Sequence, residues 1–240
     1  MQHNSLAEHV TSALAGATVY PIAHAAHGPA TVEPLPSHAY TIALSREEGV
    51  PAHSLAQNLA EVLGWKVYDH ELIELIAREM GVDIRLLERL DERNVAWLEE
   101  ALNSFMEVPA VSEGGFIANL RKTIAKLGRA GNCIIVGRGA AHILPVETTL
   151  RVRLIASHRD RVQAVAKSRG LTQDAAAKHI ETTERERERF IRTYFYVDPR
   201  NPMNYDLVLN LSHLSLAAGT QLLVGALQAY QASAQPLVVP

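Results

Sequence analysis

The chain has 240 residues, 48% of them hydrophobic, and its 23 Lys and Arg against 26 Asp and Glu leave a formal charge of −3. That length and apolar content suit one domain with a small appendage. The slight negative charge excludes a general nucleic-acid binder, while leaving room for local basic clusters that hold a small anion.

In chain order, residues 1–38 stand apart. The stretch PIAHAAHGPATVEPLPSH is rich in Pro, Ala and His without a sustained period, and reads as a linker or surface arm. Ahead of it, SLAEHVTSALAG reads as a frayed tail or a short helix ending at Gly16. From residue 39 to 230, short apolar runs alternate with long amphipathic segments, and 231–240 form a tail. Strands are predicted over 41–44, 66–68, 133–136, 152–156 and 207–209. Helices are predicted over 54–63, 70–80, 84–105, 116–130, 159–168, a pair across 172–195, and 214–228. Such alternation implies parallel strands joined by right-handed crossovers, with helices on both faces. Cys133 lies in the apolar run NCIIVG and reads as core packing; as the one cysteine it rules out a disulfide framework within the chain. No apolar run approaches a membrane span and no signal peptide is evident, so the expectation is a cytoplasmic protein with no membrane partner.

Ligands of such sheets sit beyond the carboxyl ends of the strands. That rule selects Ser45–Ser54, Asp69, Gly137–Gly139 and Ser157–Arg161, segments far apart in sequence that would face one crevice. The first resembles a strand–loop–helix phosphate cradle with Ala52 at a glycine position, His53 at the lysine and Ser54 at the magnesium ligand. An ordinary turn capped by Ser54 fits that segment equally well, and Asp69 likewise reads as a helix cap. Arg138, between two glycines, is not needed for packing and would be presented at the ligand edge. In HIETTERERERFIRTYF, helical phase puts Arg185, Arg189 and Arg192 on one face and Arg187 with Phe190 and Tyr194 on another. A solvated, charge-laced helix explains that pattern; so does a lid whose arginines close over phosphates. The eleven histidines show no metal-ligand spacing.

Six blocks, TIALSREEG, GWKVYDHELIELIARE, LLERLDER, GNCIIVGRGAAHIL, RVRLIASHRDRV and NPMNYDLVLN, together resemble the cytidylate kinase-like family over about residues 39–228. The resemblance implies an α/β, P-loop-type sheet of five parallel strands, with helical insertions for the acceptor nucleotide and an arginine-bearing lid. It implies ATP and Mg2+ as cofactors, with Gly49, Val50, Pro51, Ala52, His53 and Ser54 as the phosphate loop. Ser54 would hold the metal, and Asn210 would lie near the ATP base. Asp69, Arg138 and Arg161 fall where acceptor contacts are expected, and Glu184 with Arg187 occupies the lid motif. Arg187, with Arg185 or Arg192 and His53, would stabilise the transferred phosphoryl group.

The chain departs from the family at the loop, where Gly-Ser-Gly-Gly and a basic residue are replaced by Gly49, Val50, Pro51, Ala52 and His53. Pro51 removes a backbone donor, and Val50 and Ala52 disfavour positive φ. True cytidylate kinases also carry Asp after Gly-Arg, where this chain has Gly139. The implied activity is phosphoryl transfer from ATP to a nucleoside monophosphate, CMP- or dCMP-like by family. The alternative is a catalytically silent nucleotide sensor or interaction protein on the same fold. Partners are nucleotides, with homo-oligomer formation open.

Overall fold

A computed structural model describes residues 40–81 and 113–233. The arm over 1–38, the helix predicted over 84–105 and most of the tail lie outside the described residues. The five strands are β1 (Thr41–Arg46), β2 (Lys66–Tyr68), β3 (Cys133–Val136), β4 (Thr149–Ile155) and β5 (Leu207–Asn210). All pair in parallel in the order β2-β3-β1-β4-β5, with Thr41 in register with both Cys133 and Thr149. The helices are α1 (Ala52–Leu63), α2 (Glu71–Met80), α3 (Glu113–Ala130), α4 (Ala140–Ile143), α5 (His158–Arg169), α6 (Gln173–Phe195) and α7 (Leu216–Ser233).

Strand alternation divides the core into two layers. Ile42, Leu44, Ile134, Val136, Val152 and Leu154 face Leu55 and Leu59 of α1 and Leu223 and Leu227 of α7. Ala43, Cys133 and Ile135 point the other way, onto Leu72, Ile73 and Ile76 of α2 and Leu120 and Ile124 of α3. Each fully buried Leu or Ile contributes about 1.5–3 kcal/mol, so the two layers fix β1 at the centre of the sheet between β3 and β4. Cys133 is 3% exposed, as its apolar run implies, and burial pushes its thiol pKa up. Among the described residues no helix is long and apolar enough to cross a membrane.

Several boundaries differ from expectation. β4 begins at Thr149 rather than 152, because buried Leu150 continues the alternation of Val152 and Leu154 and Thr149 is buried on the opposite face. Arg151 and Arg153 at the intervening positions obscure that strand in the sequence. Arg151 is held by Asp206 through Nη2 to Oδ1 at 2.6 Å and Nε to Oδ2 at 3.1 Å. The helix pair predicted across 172–195 is one helix, α6. It contains neither Gly nor Pro, and Glu181–Arg185 (2.6 Å) and Glu188–Arg192 (2.9 Å) brace successive turns. α1 begins at Ala52 with Pro51 as its N-cap and no side-chain cap, so Ser54 lies inside the first turn and does not cap it. Asp69 is not the cap of α2 either; His70 holds that position.

After β3 the backbone takes three successive left-handed residues, Gly137 (φ 77°), Arg138 (φ 56°) and Gly139 (φ 73°). A Cβ at Gly139 would lie 2.5 Å from the Phe195 ring, and one at Gly137 would strike the Arg46 guanidinium. Glycine is therefore required at 139 for conformation and for space. Gly139→Ala is expected to cost about 2–4 kcal/mol in urea unfolding. Gly170→Ala, also at positive φ but with nothing within 4 Å of its Cβ, is expected to cost only about 1 kcal/mol.

Candidate functional site

The carboxyl ends of β1, β2 and β3 open onto a cleft of about 1250 Å³ roofed by α6. Arg46 enters it from the end of β1, Asp69 from just past β2, and Arg138 from the turn after β3. Arg161 of α5 and Arg187 of α6 add to the basic lining, which also includes Arg153, Arg169 and Arg200. Beside the arginines lies an apolar wall of Phe116, Ile117 and Leu120 from α3, Phe190 and Tyr194 from α6, and Tyr205. His142 sits 6.2 Å from the ring of Phe195 and 6.0 Å from that of Tyr205. Burial first, and then the charge of Arg151, lowers its pKa, which keeps the wall uncharged at neutral pH.

Arg46 and Arg187 lie close enough to Arg138 to lower its pKa, and Arg187 acts on Arg46 in the same way. Burial, and after it the charge of Arg46, pushes Arg138 down to about 10, while Asp69 acts the other way. Arg46 is lowered too, chiefly by burial and then by Arg187. Asp69 Oδ1 lies 3.8 Å from Arg46 Nη2, and its Oδ2 is 3.3 Å from His53 Nδ1. Positive charge concentrated in this way can hold an anion.

The loop after β1 contributes carboxylates to the cleft. Glu48 Oε2 is 2.8 Å from Arg187 Nη2, and its Oε1 is 3.6 Å from His179 Nε2. Glu47 lies 3.6 Å from Arg153 and 3.3 Å from Arg161, and Arg161 also reaches Glu184 at 2.6 Å. Much of the loop backbone is engaged within the protein. The amide of Glu47 donates to Leu154 O (3.1 Å), that of Glu48 to Glu184 Oε1 (3.3 Å), and that of Ala52 to Val50 O (2.8 Å). Gly49 (φ 87°) packs on α5, where a Cβ would lie 2.8 Å from the Arg161 carbonyl oxygen. Few N–H groups therefore remain to wrap a phosphate.

The predicted site residues divide accordingly. Asp69, Arg138, Arg161 and Arg187 line the cleft. Gly49, Val50, Pro51, Ala52, His53, Ser54 and Asn210 fall outside its lining. His53, exposed, reaches Asp69 and Gln57 (3.4 Å) rather than the arginines. Arg185 and Arg192 pair along the outer side of α6, as helical phase implies. Sequence reasoning missed Arg46, Glu48 and Arg153. Strand alternation could have found Arg153, and the position of Arg46 at the strand's end was a signal, whereas Glu48 left none. The arginines fit phosphate oxygens. Ser54 is exposed on α1 and outside the cleft.

The lowered Arg138 pKa carries a stability consequence. A base whose folded pKa falls below its unfolded value costs stability at every pH below the folded value. That cost is relieved as pH rises through about 10. Arg138→Met is expected to stabilise the free protein at pH 7 by about 1–3 kcal/mol. Millimolar phosphate is expected to raise the melting temperature of the parent but not that of Arg138→Met, as thermal unfolding with and without phosphate would show.

A solved structure of an uncharacterized protein from Eubacterium ventriosum superposes with a TM-score of 0.61 at 21% identity, covering 80% of this chain and 99% of that one. A shikimate kinase from Bacteroides thetaiotaomicron gives a TM-score of 0.48 at 16% identity, covering 79% of this chain and 98% of that one. A cytidylate kinase of Pyrobaculum calidifontis is 26% identical over 176 residues, 73% of this chain and 85% of that protein. One from Methanopyrus kandleri is 26% identical over 172 residues, 68% of this chain and 79% of that protein. A uronate isomerase of Corynebacterium glutamicum is 34% identical over 83 residues, 34% of this chain, and the match spans only 16% of that protein. The model of the cytidylate kinase-like family matches residues 41–213, well over half of the chain, and the protein belongs to that family.

Proposed function

We propose that this protein transfers a phosphoryl group from ATP to a nucleoside monophosphate in the cytoplasm, with CMP- or dCMP-like acceptors favoured. The observation that carries the reading is the convergence of Arg46, Arg138 and Arg187 beside an apolar, aromatic wall. A nucleoside monophosphate has the matching halves, a dianionic phosphate and a flat base. On this reading Arg138 and Arg46 hold the acceptor phosphate, and Asp69 orients Arg46. Phe116 and Tyr194 flank the base. In the reaction an oxygen of the acceptor phosphate bonds to the γ-phosphorus as the bond to the bridging oxygen breaks and ADP leaves. Arg187 stabilises the charge spread over the transferred group, and α6 excludes water above it. The family preference for cytosine meets one counter-signal, because the Phe195 ring covers the place where a side chain at 139 would project.

A silent nucleotide sensor is the second reading, favoured by the engaged loop amides and the pairing of Arg187 with Glu48. A coupled ADP-release assay over CMP, dCMP, UMP, AMP and GMP separates the two. Turnover is expected, highest with CMP or dCMP, and Arg187→Met is expected to lower it at least about a hundredfold. Calorimetric binding of CMP without ADP release from any acceptor would select the sensor. Replacing Pro51 and Ala52 together by Gly is expected to raise turnover about tenfold by freeing the loop backbone for phosphate, read as kcat in the same assay.

A further inference from the structure

Glu48 is joined to both lid helices by every polar group it has. Its carboxylate takes Arg187 and faces His179, its amide donates to Glu184, and its carbonyl accepts from Arg161 Nη1 at 3.4 Å. The side chain is only 15% exposed, although it belongs to a surface loop. The Arg187 fork is half used. Nη2 meets Glu48, while Nη1 is buried with no hydrogen-bond partner among the described residues. A guanidinium fork is satisfied by an oxyanion that takes both arms, and a phosphate does this in a geometry the single Glu48 contact lacks.

We propose that Glu48 is a built-in anion that occupies Arg187 until a phosphate of the bound nucleotide displaces it. It is a positioning residue, acting through Arg187, that sets which anions the cleft accepts. The inference rests on the phosphoryl-transfer reading only in assigning Arg187 to phosphate. With Glu48 in place, Arg46, Arg138 and Arg187 face two carboxylates, Glu48 and Asp69. Its departure from Arg187 leaves Asp69, and the vacated positive charge favours a ligand carrying two negative charges over one carrying a single charge. The exchange is one charge-assisted contact for another, so the carboxylate raises the concentration of ligand needed without removing the site.

The test is calorimetry of the full chain with pyrophosphate and with CMP, alongside ADP-release kinetics. Glu48→Gln keeps the size and a neutral hydrogen bond but removes the competing charge. It is expected to bind pyrophosphate about five- to tenfold more tightly than the parent, and to lower the KM for nucleotide without raising kcat. In an Arg187→Met background the same substitution is expected to change pyrophosphate affinity less than about twofold, since the competition has lost its object. Unchanged or weaker binding by Glu48→Gln, or an equal gain in the Arg187→Met background, overturns the proposal. Should Glu48→Gln not fold, Glu48→Asp retains the charge but falls one methylene short of Arg187. A gain of about two- to fivefold is then expected, and its absence is equally decisive. Tighter pyrophosphate binding with no ADP release from any acceptor keeps this inference and removes the kinase reading. ADP release by the parent, with no effect of Glu48→Gln on affinity or KM, does the reverse.

Discussion

Three guanidinium groups brought to one edge of a sheet repel one another, and much of the surrounding structure is the means by which that repulsion is borne. Arg46 is fixed over Gly137, where only the absence of a side chain leaves room for it. Arg138 adopts a left-handed backbone that directs it into the same space. Asp69 and Glu48 supply counter-charge from two different loops, and both are partly buried. A protein that needed only stability would replace such a cluster with apolar side chains. Retaining it carries a free-energy cost in the unliganded state, a cost that a bound anion would offset.

The loop after β1 belongs to the same balance. In a glycine-rich loop the backbone itself supplies the positive field for phosphate. Here Pro51 contributes no N–H, and the neighbouring amides are turned inward to Leu154, Glu184 and Val50. The same loop holds the arginines of α5 and α6 through Glu47 and Glu48. The departures at residues 49–53 and the ion pairs beneath the lid are thus two sides of one arrangement.

The sheet was readable because its signal is the placement of apolar runs, which burial on both faces requires. β4 was read short because Arg151 and Arg153 break the run, although they occupy the face opposite Val152 and Leu154 and leave the core alternation intact. The separation of Arg187 from Arg185 and Arg192 followed from the helical period alone. The unity of α6 was missed for lack of weight on a simple fact, that no Gly or Pro interrupts it. The segment that holds Glu48 was legible as one facing the crevice, but the buried ion pairs of Glu48 were not. A glutamate in a loop is solvated by default, and its burial depends on two helices that arrive more than a hundred residues later.

The continuity of α6 has a mechanical consequence. At about 1.5 Å per residue, Glu184 and Phe195 lie roughly 16 Å apart along one rod. The end near Glu184 is tied to the loop after β1; the other end rests its Phe195 ring on Gly139. A rod without a joint moves as one piece, so lifting the Glu184 end would turn it about the Phe195 contact. Such a tilt would carry Arg187, about 12 Å from that contact, farther than Phe190, and would leave Tyr194 nearly in place. The polar end of the cleft is thus the end that a tilt would open, with the contact at Gly139 as the pivot.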